Sequence, residues 1–477
     1  MSHHCTRGDL RRWRARPAVA GSAALCLVLV VVLFFVCPMF TWAGPPQRIS
    51  IGSGSGYLSY PDAQATLKLQ PGDTLYINPG VYSGLSLGDL SGTAASPITV
   101  KCDPRAVFTT ASPQFNTFPN IVHVRFENFR FESYKSTCLK ITGQSHDLLF
   151  KNFRLKNVSG YSFYVYDPTK VFDGTKGSTF YNFKWEDVVV DGKTDGAAIC
   201  NLNYSLSNMI SVVLDFEIYR CTFRNFDNTQ QAFPVIGLER CFNLEVHECT
   251  FSDIGMAESP IGHNVCIAVA GYLRAHNNRF TRQWANDVRV WPMKLNALGY
   301  GGPNAVNRFY NNISWEKRKY PMYEHNHVQQ ADIDKSSGCL SRTASEVCFN
   351  TLFRSRKAAS SKDPYCATLV DVYGPDVTIK HNLVIEPEVD VPFDPTRNYV
   401  YHLGAGQQLG LVVDSNRVFP TWAEARLTDT ETFMPLKTSP TKDAATGRID
   451  YITEDHYHHD RYQGAVADLG AVERQKE

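Results

Sequence analysis

From about residue 120 onward, apolar and polar positions alternate in short runs, pause at a small or amide residue, and resume with an aromatic or β-branched side chain. The pattern reads Phe126-Glu127-Asn128-Phe129-Arg130-Phe131, then Phe150-Lys151-Asn152-Phe153-Arg154-Leu155, then Trp185-Glu186-Asp187-Val188-Val189-Val190. It returns as Ile218-Tyr219-Arg220-Cys221-Thr222-Phe223, Val246-His247-Glu248-Cys249-Thr250-Phe251 and Ala275-His276-Asn277-Asn278-Arg279-Phe280. Phe309-Tyr310-Asn311-Asn312-Ile313 continues it, and further copies centre on Asn350, Asn382 and Asn416. A period of two within each copy predicts strands, not the paired helices of other repeat arrays. Spacings of about 24 to 38 residues between copies mark a solenoid.

No copy is long enough to bury its own apolar face, so each must stack on its neighbours. Stacking brings equivalent residues about 4.8 Å apart, and like residues should then share a register. Cys221 and Cys249 occupy one such register, continued by Asn278, Asn312, Asn350, Asn382 and Asn416. A column of amides hydrogen-bonded along the stack satisfies itself in a buried turn. These residues are therefore read as structural.

The two ends carry a resemblance. Leu69-Gln70-Pro71-Gly72-Asp73-Thr74-Leu75-Tyr76-Ile77 followed by Pro79-Gly80-Val81-Tyr82 resembles the opening coil of right-handed β-helix proteins, among them many polysaccharide lyases. Ala467-Asp468-Leu469-Gly470-Ala471-Val472-Glu473 is similar to a short C-terminal segment of secreted bacterial β-helix proteins. The resemblance, to the pectate-lyase-like superfamily, runs from about Ile49 onward and implies a fold: an all-β, single-stranded, right-handed parallel β-helix of about ten or more coils. It implies no particular reaction, because no family-defining catalytic signature is matched. The expected organisation is a targeting segment over residues 1–45, the solenoid over 46–424, and a C-terminal cap or tail over 425–477, which loses the repeat and is expected to close the open edge of the stack.

Ahead of the repeats, Arg11, Arg12, Arg14 and Arg16 precede a charge-free apolar run from Ala18 to Val36. Basic residues before such a run keep the N-terminus cytoplasmic and export the chain beyond it. Thr41-Trp42-Ala43 before Gly44 suits signal cleavage, whereas the length of the run approaches that of a hydrophobic signal-anchor helix. The expected location is extracytoplasmic, with membrane contact only through this segment. Charge is balanced, 48 Lys+Arg against 47 Asp+Glu, which excludes a general nucleic-acid binder. The 13 Cys are thinly spread, with no C-x-x-C pair to support a zinc site of that spacing. Cys241 with Cys249, and Cys339 with Cys348, are near enough in sequence to bridge; most others read as small buried hydrophobes.

Candidate chemistry concentrates in the strands that precede the repeat copies. If Val288 and Val290 point inward, Asp287, Arg289 and Trp291 point outward. One coil later, either Tyr323 and His325 or Met322 and Glu324 face outward. Arg289 and Lys294 suit a uronate carboxylate, whose neutralisation acidifies the neighbouring C5 proton. A Lys, Tyr or His can take that proton, and Tyr or His can protonate the leaving oxygen. Arg289, Lys294, Tyr323 and His325 are the catalytic candidates. Glu239, His263, Asn264, Trp291, Glu324, His327 and Asp371 are the candidates for binding substrate. Solvated cations, an Arg289 paired with Asp287 or Glu324, and histidines in an ordinary turn are the competing structural account.

Residues 262–267 resemble the strand on which polygalacturonases carry paired Asp, but His263 and Asn264 stand there, so that mechanism does not transfer. Glu239, Glu324 and Asp371 remain candidate acids for a hydrolase. No metal ligand set is assigned. Calcium has two weak candidates: the Asp332–Ser336 stretch, which lacks the glycine of an EF-hand loop, and the acidic loop of Glu386, Glu388, Asp390 and Asp394. The expected partner is an extended polysaccharide, and the protein is expected to be a monomer. Lyase, hydrolase and non-catalytic binding solenoid all stay open.

Overall fold

A computed structural model describes residues 45–52, 56–59, 68–110, 116–193, 197–201, 210–226, 234–255, 265–284, 286–291, 306–318, 321–325, 344–356, 368–404, 410–464 and 466–475. The chain divides into Met1–Pro45 and Pro46–Glu477. The apolar leader lies outside the described residues, among which no helix is long and apolar enough to cross a membrane.

Every strand pairs in parallel with its counterpart one coil away. Among the described residues, three sheets of 10 to 13 strands result. The third, from Gly56–Ser59 to Arg417–Phe419, stands apart, while the first and second are joined into one 21-stranded network. They join through Ile236–His247 and Val265–His276, 12-residue strands long enough to belong to both. Each turns between sheets where the register slips at Cys241. Gly271 makes that corner possible: its φ is +149°, and a Cβ there would lie 1.8 Å from the Cys241 carbonyl oxygen. Parallel strands joined by such crossovers wind right-handed. The protein is a right-handed parallel β-helix.

Alternation explains the core. Inward residues of successive coils stack on their own kind: Phe126 on Phe150 with centroids 5.2 Å apart, Phe129 on Phe153 at 5.0 Å, and Phe223, Phe251 and Phe280 at 5.0 and 4.9 Å. Between the second and third sheets each coil turns through a left-handed residue, such as Asn128, Asn152, Asp187, Arg220, Glu248, Asn277 and Asn311. The residue after it points inward. In the N-terminal coils that position is Phe129, Phe153 and Val188, then Cys221 and Cys249, then the asparagine column.

The amide ladder forms as expected. Asn278 donates from its backbone and side chain to Asn312 Oδ1, both at 3.0 Å. Asn312 donates likewise to Asn350, Asn350 to Asn382, and Asn382 to Asn416. Cys249 N–H starts the ladder by donating to Asn278 Oδ1 at 3.0 Å. The suggested disulfides do not form: Cys241, Cys249 and Cys348 are buried free thiols. Cys339 lies outside the described residues. Stacked strands already fix these positions, so the thiols act as core groups.

The C-terminal segment packs along the side of the stack. It leaves the last coil and runs back along the turn between the second and third sheets. Arg417 donates to Pro440 O at 3.0 Å, Gly470 N–H to His381 O at 2.9 Å, and Ala471 N–H to the Thr351 hydroxyl at 2.9 Å. Further back, His456 Nδ1 meets Asn311 O at 2.8 Å, and His458 reaches Glu248 at 3.1 Å. The strap thus binds the polar turn residues of several coils.

Its anchor is Arg461, fully buried, which donates to Gly470 O, Ala471 O and Asn311 Oδ1. Asp455, Asp468 and Glu473 are buried around it. Three carboxyls share one guanidinium, and Glu473 bears the cost: burial and the charge of Asp468 raise its pKa from the ordinary 4.5 to about 8. A folded-state pKa above the unfolded one gives stability that is complete below pH ~4.5 and lost as pH rises toward 8. Urea denaturation at pH 5, 6.5 and 8 is therefore expected to show falling stability in the parent protein and a flatter profile in Glu473→Gln. Parallel profiles would contradict the assignment.

Candidate active site

The outer face of the first sheet carries one register across its whole length. It reads Thr117, Lys140, Tyr164, Cys200, Gly237, Ala268, Arg289, Glu324, Asp371 and His402. The strands placing the last four are Asn286–Trp291, Tyr323–His325, Val370–Val372 and Tyr401–Leu403. Val288, Val290, Tyr323, Val370 and Val372 point into the core, which turns the residues between them outward.

The charged heads converge. Arg289 Nε donates to Glu324 Oε2 at 2.6 Å, with each side chain only 4% exposed. Its terminal nitrogen also reaches Asn286 Oδ1 at 3.3 Å. From the other end, His402 Nδ1 lies 2.8 Å from Asp371 Oδ1, with side-chain exposures of 21% and 6%. Two hydrogen-bonded pairs thus meet at adjacent coils, about 5 Å apart by strand spacing. Burial lifts Asp371 above the ordinary carboxylate range, and the charge of Glu324 adds to it, while the His402 bond pulls the other way.

Tyr323 and His325 face inward and never reach this surface. Tyr323 is fully buried, its hydroxyl 2.8 Å from Ser345 Oγ, and burial raises its pKa. His325 is also fully buried, with Nδ1 2.8 Å from the same hydroxyl. Of the two faces open to the Tyr323–His325 strand, the outward one belongs to Glu324, because Tyr323 fills the core register of Val288 and Val370. Asp287 does not pair with Arg289. It is fully buried at the start of its strand and accepts from the equally buried Lys317 Nζ at 2.7 Å. Burial raises its pKa.

Lys294, His263, Asn264 and His327 lie outside the described residues, as do the side chains of Glu239 and Trp291. The Asp332–Ser336 stretch lies outside them too. In the acidic loop, Glu388 pairs with Arg397, Asp390 with Arg356 at 3.2 Å, and Glu386 with Arg354 at 3.6 Å. Asp394 instead accepts from Thr396. Those carboxylates are engaged within the loop or by the coil before it, and no cluster of three metal-binding side chains occurs among the described residues.

No protein-family model and no curated protein matches the chain. Similar solved structures include a PL6-family polysaccharide lyase from Pseudopedobacter saltans, at 12% identity and TM-score 0.40, over 82% of this chain and 97% of that one. An alginate lyase from Paenibacillus sp. str. FPU-7 aligns at 12% identity and TM-score 0.32, over 78% and 99%. A mannuronic-acid-specific family 6 lyase from human gut microbiota aligns at 12% and 0.30, over 78% and 87%.

His402 was missed by sequence reasoning. Tyr401-His402-Leu403 repeats the alternation of Val370-Asp371-Val372 one coil on, so the register itself held the signal. What the four residues offer is a cation, two carboxyl groups and an imidazole on one shielded surface. That set can hold an anionic sugar and move a proton.

Proposed function

We propose that the protein is an exported polysaccharide lyase that cleaves a uronic-acid-containing polymer by β-elimination. The observation that carries this reading is the outer column Arg289, Glu324, Asp371 and His402, drawn together into two adjacent pairs. A uronate carboxylate exchanges with Glu324 on the Arg289 guanidinium, and neutralising it acidifies the C5 proton. His402 takes that proton, with Asp371 stabilising the imidazolium. The C4–O bond breaks as the C4=C5 double bond forms. Lys294, five residues beyond Arg289 in the chain, is the proposed proton donor to the leaving oxygen.

Incubation with polygalacturonate, alginate and glycosaminoglycans should yield unsaturated, ultraviolet-absorbing products from at least one of them. Arg289→Lys keeps the charge but loses the fork, so kcat/KM should fall about tenfold. Binding without turnover on every polymer would leave a non-catalytic solenoid.

One observation favours a second reading. Glu324 and Asp371 stand in register on neighbouring coils, close to the carboxyl separation of a retaining glycosidase. Products with ordinary reducing ends and no ultraviolet absorbance would select it.

A further inference from the structure

Five and four coils before Arg289, the same outward register carries Lys140 and Tyr164. Tyr164 lies between two other tyrosines, its ring centroid 4.9 Å from Tyr161 at 20° and 5.5 Å from Tyr166 at 9°. These three rings, with Lys135, Lys140 and Gly160, line a surface cavity of about 430 Å³. Among the described residues its remaining lining is Ser136 and Thr137, so two ammonium groups stand beside the three rings.

We infer that the Tyr161–Tyr164–Tyr166 cavity is a second binding site for the acidic polysaccharide, separate from the reacting centre. Tyrosine rings give an apolar surface for sugar C–H faces and a hydroxyl edge for hydrogen bonds. Lys135 and Lys140 supply the charge for uronate carboxylates. Counting register steps from Tyr164 through Cys200, Gly237 and Ala268 to Arg289 puts the two sites about 19 Å apart. A polymer engages both at once and gains affinity from the link, while a disaccharide reaches only one. The inference rests on the acidic-polysaccharide reading above but needs no turnover.

The test is affinity electrophoresis of the intact protein in gels containing polygalacturonate, alginate or a neutral β-glucan. The parent protein should be retarded by an acidic polymer and not by the glucan. Tyr164→Ala and Lys140→Glu should each weaken that retardation about tenfold. Both side chains lie on the outer face, and unchanged thermal melting would verify that the fold is kept. Unaltered retardation in folded variants, or equal retardation by the neutral glucan, would overturn the inference. Where turnover is found, the same variants should raise KM for the polymer and leave kcat/KM for a disaccharide unchanged. If no polymer is cleaved but retardation responds to the variants, the lyase reading fails and this site stands.

Discussion

Asn312→Ala is expected to remove about 3–5 kcal/mol of stability, among the largest losses available to a single core substitution. Asn312 Oδ1 accepts from the Asn278 backbone and amide, and its Nδ2 donates to Ala275 O at 2.9 Å, Tyr310 O at 3.0 Å and Asn350 Oδ1 at 3.0 Å. Alanine leaves the Asn278 N–H and the Ala275 carbonyl without these partners in a site closed to water. Each such group costs about 1–3 kcal/mol. Asn278 Nδ2 keeps Val246 O at 2.8 Å, and Asn350 Oδ1 keeps the residue 312 N–H at 3.0 Å, so the ladder breaks at one rung.

Asn416→Ala provides the comparison. Asn416 ends the ladder with the same kinds of bonds, yet it is only partly buried, so water can replace its partners. Its loss should be nearer 1 kcal/mol. Urea midpoints for the two variants measure the difference. Equal midpoints would mean that burial does not set the strength of the ladder. Because coils stabilise one another as neighbours, an unfolding intermediate in Asn312→Ala that retains the N-terminal coils would be a further expected consequence.

The solenoid was legible because its side chains obey a period of two and its coils repeat. The amide ladder was legible for the same reason: Asn278 to Asn416 recur at one place in each copy. What the alternation could not decide was the phase of a strand as short as Tyr323–His325. With apolar or aromatic residues at both parities, Met322 and Tyr323, either face could be inward, and the sequence favoured no choice. Pairing with Val288 and Val370 resolves it by placing Tyr323 in the core and turning Glu324 to the outer face, where it is buried against Arg289.

Two other features were hidden because they depend on distance across coils. Asp287 looked like an outward neighbour of Arg289, but Lys317, 30 residues later, draws it into the interior. The C-terminal strap lacks the repeat, and nothing local shows that Arg461 seeks Asn311, 150 residues before it. Such pairings appear only once the stack has formed.

Asp371→Asn is expected to lower kcat about 10²–10³-fold while leaving the fold intact. Asparagine keeps an oxygen for His402 Nδ1 and the shape of the site, so a melting temperature close to the parent's is part of the expectation. What it removes is the titration. Asp371 ionises above the ordinary carboxylate range, chiefly because it is buried and also because Glu324 lies beside it. If His402 takes the C5 proton, ionised Asp371 must stabilise the imidazolium, and the rate should rise as pH climbs through the Asp371 pKa. If Asp371 instead protonates a leaving oxygen, as in glycoside hydrolysis, the rate should fall over the same interval. The pH–rate profile of kcat/KM therefore distinguishes the two chemistries by the sign of one limb, and that limb should vanish in Asp371→Asn. A limb that persists unchanged in the variant would remove Asp371 from the mechanism and shift the proton transfer to Lys294, whose replacement by methionine should then abolish it.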